Sequence, residues 1–216
     1  MPIDYKKTQK DLYQPKTISS IIDVPEMVFI AVDGKGDPNT SEEYKAALES
    51  LYGLSYSIKM SKMSGSQPEG YFEYVMPPLE GFWSAADGAF RGGGAPIADK
   101  SMFVWTSLIR QPEFVTPEVF AFTKAVLSTK KPELDLSKAR LARITEGLCV
   151  QVMHIGSYDD EPATIATMDK YAEENGYEID IDDTRRHHEI YLNDPRKVAP
   201  EKLKTIIRHP IRKAGD

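Results

Sequence analysis

The stretch Leu148-Cys149-Val150-Gln151-Val152-Met153-His154-Ile155-Gly156-Ser157-Tyr158-Asp159 decides the fold. Its first seven residues are mostly apolar and partly β-branched. They end on a glycine and a polar turn, which is the pattern of a buried strand. Pro162 then opens a helix whose apolar face carries Ile165, Met168 and Ala172, closed by Asn175-Gly176. A second strand follows, His187-His188-Glu189-Ile190-Tyr191-Leu192, stopped by Asn193-Asp194-Pro195. A last helix is predicted from Pro200, with Leu203, Ile206 and Ile207 inward, ending before Pro210.

The same order stands earlier in the chain. Met27-Val28-Phe29-Ile30-Ala31-Val32 reads as a buried strand that stops at Asp33-Gly34-Lys35-Gly36. Thr40 and Glu43 form a capping box for a helix carrying Tyr44, Ala47, Leu48, Leu51 and Tyr52, which frays near Gly53. Strands are predicted at Gly70–Met76, ended by Pro77-Pro78, and at Met102–Ile109. An irregular stretch containing Gly92-Gly93-Gly94 lies between them and reads as a flexible loop, a candidate lid. Thr116-Pro117 opens a further helix that runs to about Ser128. The pairs Gly36/Gly156 and Gly53/Gly176 stand at near-equal offsets, as in an internal duplication.

These elements predict an α+β fold. Two strand-helix-strand modules are related by a pseudo-twofold axis, with an antiparallel sheet and helices on one side. Module one spans about 17–128 and module two about 129–210, within a single domain 1–216. Residues 1–16 form an arm or an edge strand. A central ligand groove is expected on the face the helices leave uncovered.

Composition narrows the function. Lys plus Arg is 27 against 33 Asp plus Glu, a formal charge of −6 in 216 residues. That balance argues against nucleic acid as a direct partner, because phosphate contacts need clustered cations. Arg185-Arg186 and the segment from Lys202 to Lys213 read as solvated surface. One cysteine, Cys149, cannot form an internal disulfide and reads as a buried hydrophobe. With no long apolar run and no signal-peptide pattern, a cytoplasmic location without membrane attachment is expected.

Glu189 is the most informative residue. A carboxylate in a strand suited to burial is uncommon, because an unpaired buried charge is costly. Strand alternation puts His187, Glu189 and Tyr191 on one face and His188, Ile190 and Leu192 on the other. If Ile190 and Leu192 face the helices, Glu189 and Tyr191 face the groove. There Glu189 is a candidate general base or cation ligand. The bland alternative, a solvent-facing Glu on an open sheet, weighs about equally on residue type alone.

Aromatic residues crowd the first half, among them Tyr56, Tyr71, Phe103, Trp105 and Trp83, the last in a predicted loop. Aromatic walls suit a flat ligand, although a packed core accounts for about half of such residues. His187, Glu189 and His154 could be drawn as a metal site. Nothing supplies a fixed third ligand and no HExxH or CxxC pattern occurs, so neither a metal nor another cofactor is expected. No G-x-S-x-G elbow is present.

Three segments carry a family resemblance. They are Glu146–Gly156, His188 through Pro210, and Pro77-Pro78-Leu79-Glu80-Gly81-Phe82-Trp83. Each resembles a signature of stand-alone GyrI-like small-molecule-binding proteins. The resemblance implies a duplicated βαββ-type module around a pseudo-twofold axis with a central groove. It places Glu189 where relatives fused to AraC- or MerR-type regulators keep a Glu that meets cationic drugs. The residues ahead of Met27 are too few for a helix-turn-helix, so direct DNA contact is not expected.

The His188–Leu192 segment and the Pro77–Trp83 segment also look like those of cyclopropanoid cyclopropyl hydrolases. These open the strained ring of DNA-alkylating natural products of the yatakemycin type by adding water. That likeness implies a small aromatic ligand stacked on Trp83, Trp105 and Tyr71. Glu189 would activate water, Tyr191 would be hydrogen-bonded beside it, and Tyr56 or His154 are candidate donors to the departing oxygen. The competing readings are a non-catalytic binder or sensor of planar drugs and, more remotely, a gyrase-modulating protein. For the last, −6 is too dilute to favour DNA mimicry. Oligomeric state is not readable.

Overall fold

The computed structural model describes residues 1–85 and 99–215. The Gly92-Gly93-Gly94 lid expectation lies outside the described residues. Two short helical turns, α1 (Tyr5–Thr8) and α2 (Lys10–Tyr13), open the chain. Strands β1 (Ser20–Val24) and β2 (Met27–Lys35) lead to helix α3 (Glu42–Lys59). Strands β3 (Leu79–Ala85) and β4 (Phe103–Gln111) precede α4 (Pro117–Lys130). Next come β5 (Arg140–Ile144), β6 (Gly147–Ile155) and α5 (Glu161–Glu174). Strands β7 (Tyr177–Ile179), β8 (His187–Tyr191) and β9 (Lys204–Lys213) close the fold.

All strand pairs are antiparallel, in the order β1-β6-β9-β8-β3-β4-β2-β5, with β7 beside β9. The order reads the same from both ends when β6 is matched to β2, β9 to β4 and β8 to β3. Even the leading strands obey this symmetry. β1 runs into β2 yet pairs with β6, and β5 runs into β6 yet pairs with β2. The two modules therefore share one continuous α+β sheet, and the pseudo-twofold passes between β3 and β8.

Helix α3 packs on β2 and β4, and α5 on β6 and β9. Leu51, Leu54 and Ile58 meet Ile30, Ile109 and Trp105 beneath α3. Ile165, Met168 and Ala172 meet Val150, Val152 and Ile207 beneath α5. The central strands β3 and β8 lie between the helices.

The reverse face is not the open groove expected from the pattern. The N-terminal arm covers part of it, burying Tyr5, Leu12 and Tyr13 against a cluster with Phe29, Phe82, Leu108, Ile190 and Ile206. Ile190 therefore faces the arm, and Glu189 and Tyr191 look toward the helix side. The arm is helical rather than an edge strand, with the Asp4 side chain accepting from the Lys6 N–H at the start of α1.

Other elements also differ from the sequence reading. Only Pro200–Lys202 is helical near the C-terminus, and the following residues form β9. Ile206 and Ile207 are both fully buried in clusters on opposite faces of the sheet, so a strand satisfies both at once. Arg208, read as solvated, is fully buried. Gly70–Met76 is not a strand, and only Tyr74 makes an isolated bridge, to Ile3. The strand begins after Pro77-Pro78, which places Trp83 in β3 rather than in a loop.

Helix α3 is capped by Ser41, whose Oγ accepts from the Tyr44 N–H. It runs past Gly53, where Leu127 and Leu134 leave little space for a side chain. Strands β1, β5 and β7 are short and half-buried, with charged residues among them, and escape a hydrophobic-run reading.

Candidate functional site

Between the two helices, the helix-side face of β3 and β8 presents Trp83 from one strand and His187, Glu189 and Tyr191 from the other. Antiparallel register sets Gly81 opposite Glu189 and Trp83 opposite His187. Gly81 is required by close approach. A Cβ there would lie 2.6 Å from Trp83 Nε1. The indole folds over the glycine, and its Nε1–H donates to the Tyr191 hydroxyl at 2.9 Å. That hydroxyl in turn donates to Glu189 Oε2 at 2.5 Å.

The other carboxylate oxygen is held as firmly. Glu189 Oε1 lies 2.8 Å from His187 Nε2, and His187 Nδ1 lies 2.7 Å from His209 Nε2. His209 Nδ1 reaches Asp169 Oδ1 of α5 at 2.6 Å. These three links need three protons. Two neutral imidazoles and two ionised carboxylates supply two, so the chain holds one extra proton along Glu189–His187–His209–Asp169. Burial, only partly offset by Asp169, pushes the His209 imidazole below its ordinary value, so His209 is an unfavourable place for that charge.

A second carboxyl completes the centre. Glu161, at the start of α5, is buried close enough to Glu189 for the two carboxyls to influence each other, and its Oε1 has no hydrogen-bond partner among the described residues. Burial and the neighbouring charge of Glu189 hold Glu161 well above the usual carboxylate range. Burial acts to raise Glu189 too, but hydrogen bonds from His187 and Tyr191 outweigh it and bring it below that range. The two neighbouring carboxyls are thus driven in opposite directions, Glu189 toward its ionised and Glu161 toward its protonated form. The Glu189 side chain keeps 12% of its surface exposed, so it remains reachable.

Aromatic rings wall this centre. Tyr44 of α3 meets Trp105 edge-on at 4.9 Å and Trp83 at 6.2 Å. Phe103 packs on Trp83 at 5.4 Å, and Tyr158 meets Tyr191 edge-on at 5.8 Å. Burial pushes the Tyr44 and Tyr158 hydroxyls up to about 12, so both stay protonated.

Of the residues singled out by sequence, Trp83, Trp105, Phe103, His187, Glu189 and Tyr191 come together. Trp105 is fully buried beneath Tyr44 and supports the wall from behind. Tyr56 lies elsewhere, stacked on Tyr52 along a groove between α3 and α4. Tyr71 donates to the Lys59 carbonyl and packs on Phe114. His154 bonds the Thr164 hydroxyl and the Ser157 carbonyl, bracing the turn into α5. Cys149 is fully buried, and burial pushes its thiol up.

Sequence reasoning missed Tyr44, Tyr158, Glu161, Asp169 and His209. One of them left a signal. Asp169 sits on the apolar stripe Ile165, Met168, Ala172 at helical spacing, where a carboxylate is out of place. His209 was hidden by the helix expected in place of β9.

On the reverse face the neighbouring histidine does structural work. His188 lies 3.0 Å from Glu146 and 3.1 Å from Glu80, and Arg208 bonds Glu146 at 2.9 Å. All four are buried or nearly so, a compensated ion cluster beneath the arm.

A model of the GyrI-like small molecule binding domain matches residues 19–212. Among solved structures, a hydrolase from Listeria innocua is 46% identical, with a TM-score of 0.88 over 97% of this chain and 100% of its own. An uncharacterised conserved protein from Listeria innocua is 48% identical, with a TM-score of 0.90 over 97% and 100%. The C-terminal domain of EcmrR shares the fold at 14% identity, with a TM-score of 0.50 over 91% and 98%. No curated protein matches. Among the described residues no helix is long and apolar enough to cross a membrane.

Proposed function

The chain belongs to the GyrI-like family of small-molecule-binding domains, and from that premise we propose that it hydrolyses the cyclopropane ring of cyclopropanoid DNA-alkylating compounds. The observation that carries the reading is Glu189, held through both oxygens by His187 and Tyr191 inside an aromatic wall, with the buried carboxyl of Glu161 driven the opposite way in proton affinity. Pairs of carboxyls driven to opposite protonation states mark general acid–base centres. The 46% identical hydrolase over nearly the full length supports turnover rather than binding alone.

In this reading the flat substrate lies against Trp83 and Phe103, with Tyr44 and Tyr158 beside it. Glu189 takes a proton from water as the water oxygen bonds to the ring CH2 carbon. The cyclopropane C–C bond breaks and its electrons pass through the dienone to make a phenolate, which then gains a proton. The dienone oxygen lies across the ring from the attacked carbon. Tyr44 and Tyr158, which keep their protons along the aromatic wall, are the candidates to donate a hydrogen bond to that oxygen. Tyr191 and His187 orient Glu189, and the proton Glu189 takes from water leaves through solvent as the phenolate gains one, which restores the ionised carboxylate.

A non-catalytic binder of planar cations is the second reading. The same aromatic wall around an ionised carboxylate favours it. Incubating the protein with excess cyclopropanoid compound and following ring-opened product by mass spectrometry separates the two. Product beyond one equivalent, lost in Glu189→Gln, is the expected result. Tight binding without product would overturn the enzyme reading.

A further inference from the structure

On the opposite face of the sheet from Glu189, a cavity of about 380 Å³ opens between β5, the segment before β8 and the β3–β4 pair. Among the described residues, four arginines line it: Arg140, Arg143, Arg185 and Arg186. Three are already engaged. Arg140 holds Asp33 through two bonds of 3.0 and 3.1 Å, Arg143 holds Glu26 at 3.1 Å, and Arg185 holds Asp180.

Arg186 differs. Among the described residues it has no carboxylate at ion-pair distance. Its Nη2 donates to the Thr106 hydroxyl at 2.8 Å, and its Nε is buried without a partner. The guanidinium stacks over the Phe82 ring at 5.6 Å. A half-buried cation with no carboxylate at ion-pair distance is costly unless something on its open side meets it.

The rest of the lining is suited to such a partner. Phe82, Ala142, Ile144 and Pro210 make an apolar wall, and Thr145 adds a hydroxyl, whereas Thr106 and Thr184 already donate to Asp33 and Asp182. Among the described residues the one lining carboxylate, Glu146, is already neutralised by Arg208 and His188.

We propose that this cavity binds a small organic oxyanion, a phosphate ester or carboxylate on a compact apolar body, with Arg186 as its principal charge partner. The planar guanidinium presents the fork that matches such an oxyanion, and the ring beneath it orients the fork. The volume lies at the small end of ligand cavities, which limits the occupant to a compact molecule. The Arg185-Arg186 pair is thus half of a binding site rather than solvated surface. This site is independent of the proposed hydrolysis.

The test is calorimetric titration of the intact protein with phenyl phosphate, benzoate and inorganic phosphate. One equivalent of phenyl phosphate or benzoate should bind saturably, and the tighter of the two identifies the source class. Arg186→Met should weaken that binding roughly ten- to a hundredfold, the worth of a charge-assisted contact. Arg143→Gln, at an exposed position that leaves the fold intact, should weaken it by a smaller factor. Glu189→Gln should leave it unchanged.

Three outcomes would overturn the proposal. One is no saturable binding of either aromatic anion up to about 10 mM. Another is equal affinity in wild type and both arginine variants. The third is binding lost in Glu189→Gln but kept in Arg186→Met. Inorganic phosphate binding as tightly as phenyl phosphate would overturn the role of the apolar wall.

Discussion

Gly81→Ala tests whether the indole of Trp83 is what sets the site. The added Cβ would stand 2.6 Å from Trp83 Nε1, 3.2 Å from Cε2 and 3.3 Å from the Tyr191 hydroxyl. The indole is rigid and buried, so it must move as a body, and its 2.9 Å bond to Tyr191 breaks. Overpacking costs about 1–3 kcal/mol, and the lost hydrogen bond about 0.5–1.5 kcal/mol. Alanine recovers up to about 1 kcal/mol of backbone entropy. The net is a loss of about 1–3 kcal/mol, which in a domain of this size lowers Tm by roughly 3–10 °C.

Thermal unfolding followed by circular dichroism measures the shift. Near-ultraviolet spectra should also change, because a tryptophan changes its surroundings. The decisive comparison is a double-mutant cycle with Trp83→Phe. Once the indole is gone, the alanine should cost much less, a coupling of at least about 1 kcal/mol. Additive effects, or a Tm unchanged in Gly81→Ala, would refute the argument that Trp83 presses on Gly81 to hold Tyr191 against Glu189.

Further outcomes follow from the same geometry. Turnover against pH should rise as Glu189 ionises, below the ordinary carboxylate range, and fall as Glu161 loses its proton, above that range. Glu161→Gln should remove the upper limb, and a profile unchanged in that variant would exclude Glu161 from the pair. Asp169→Asn should lower kcat roughly tenfold while leaving dye binding near wild type, because its carboxylate holds the far end of the proton chain through His209; an equal loss of both would indicate a merely structural residue.

Stability should follow the reverse-face cluster. Burial opposes the charge on His188, but Glu146 and Glu80 prevail and raise it to about 9, so its contribution is complete below 6.5 and is lost as pH rises through 9. Burial also opposes the charge on Glu146, yet His188 and Arg208 hold it at about 2, so its contribution is complete above 4.5 and is lost as pH falls toward 2. Chemical denaturation between pH 2 and 10 should therefore show a plateau at mildly acidic pH, and a maximum outside it would contradict the cluster.

Much of the site was legible because strand alternation is local. His187, Glu189 and Tyr191 fall on one face of β8 from their spacing alone, and the structure keeps them there. Which way that face points was not legible. Ile190 and Leu192 were expected under the helices, but the arm supplies a second apolar partner, and its contacts are distant in sequence. Glu161 and Asp169 lie on a helix and His209 on a different strand, so only packing brings them to Glu189.

By itself the sequence determined the two strand-helix-strand modules, their pairing into one α+β sheet and the carboxylate in the second module. Apolar periodicity and turn residues act over a few residues and need no knowledge of what packs on them. Tertiary structure alone decided that the last segment is a strand, that Glu189 and Tyr191 look toward the helix side, and that Glu161 comes to lie beside Glu189. A residue such as Ile207 becomes a strand residue only when sheet neighbours on both sides claim its backbone. A carboxyl changes its proton affinity only when burial and another charge meet it.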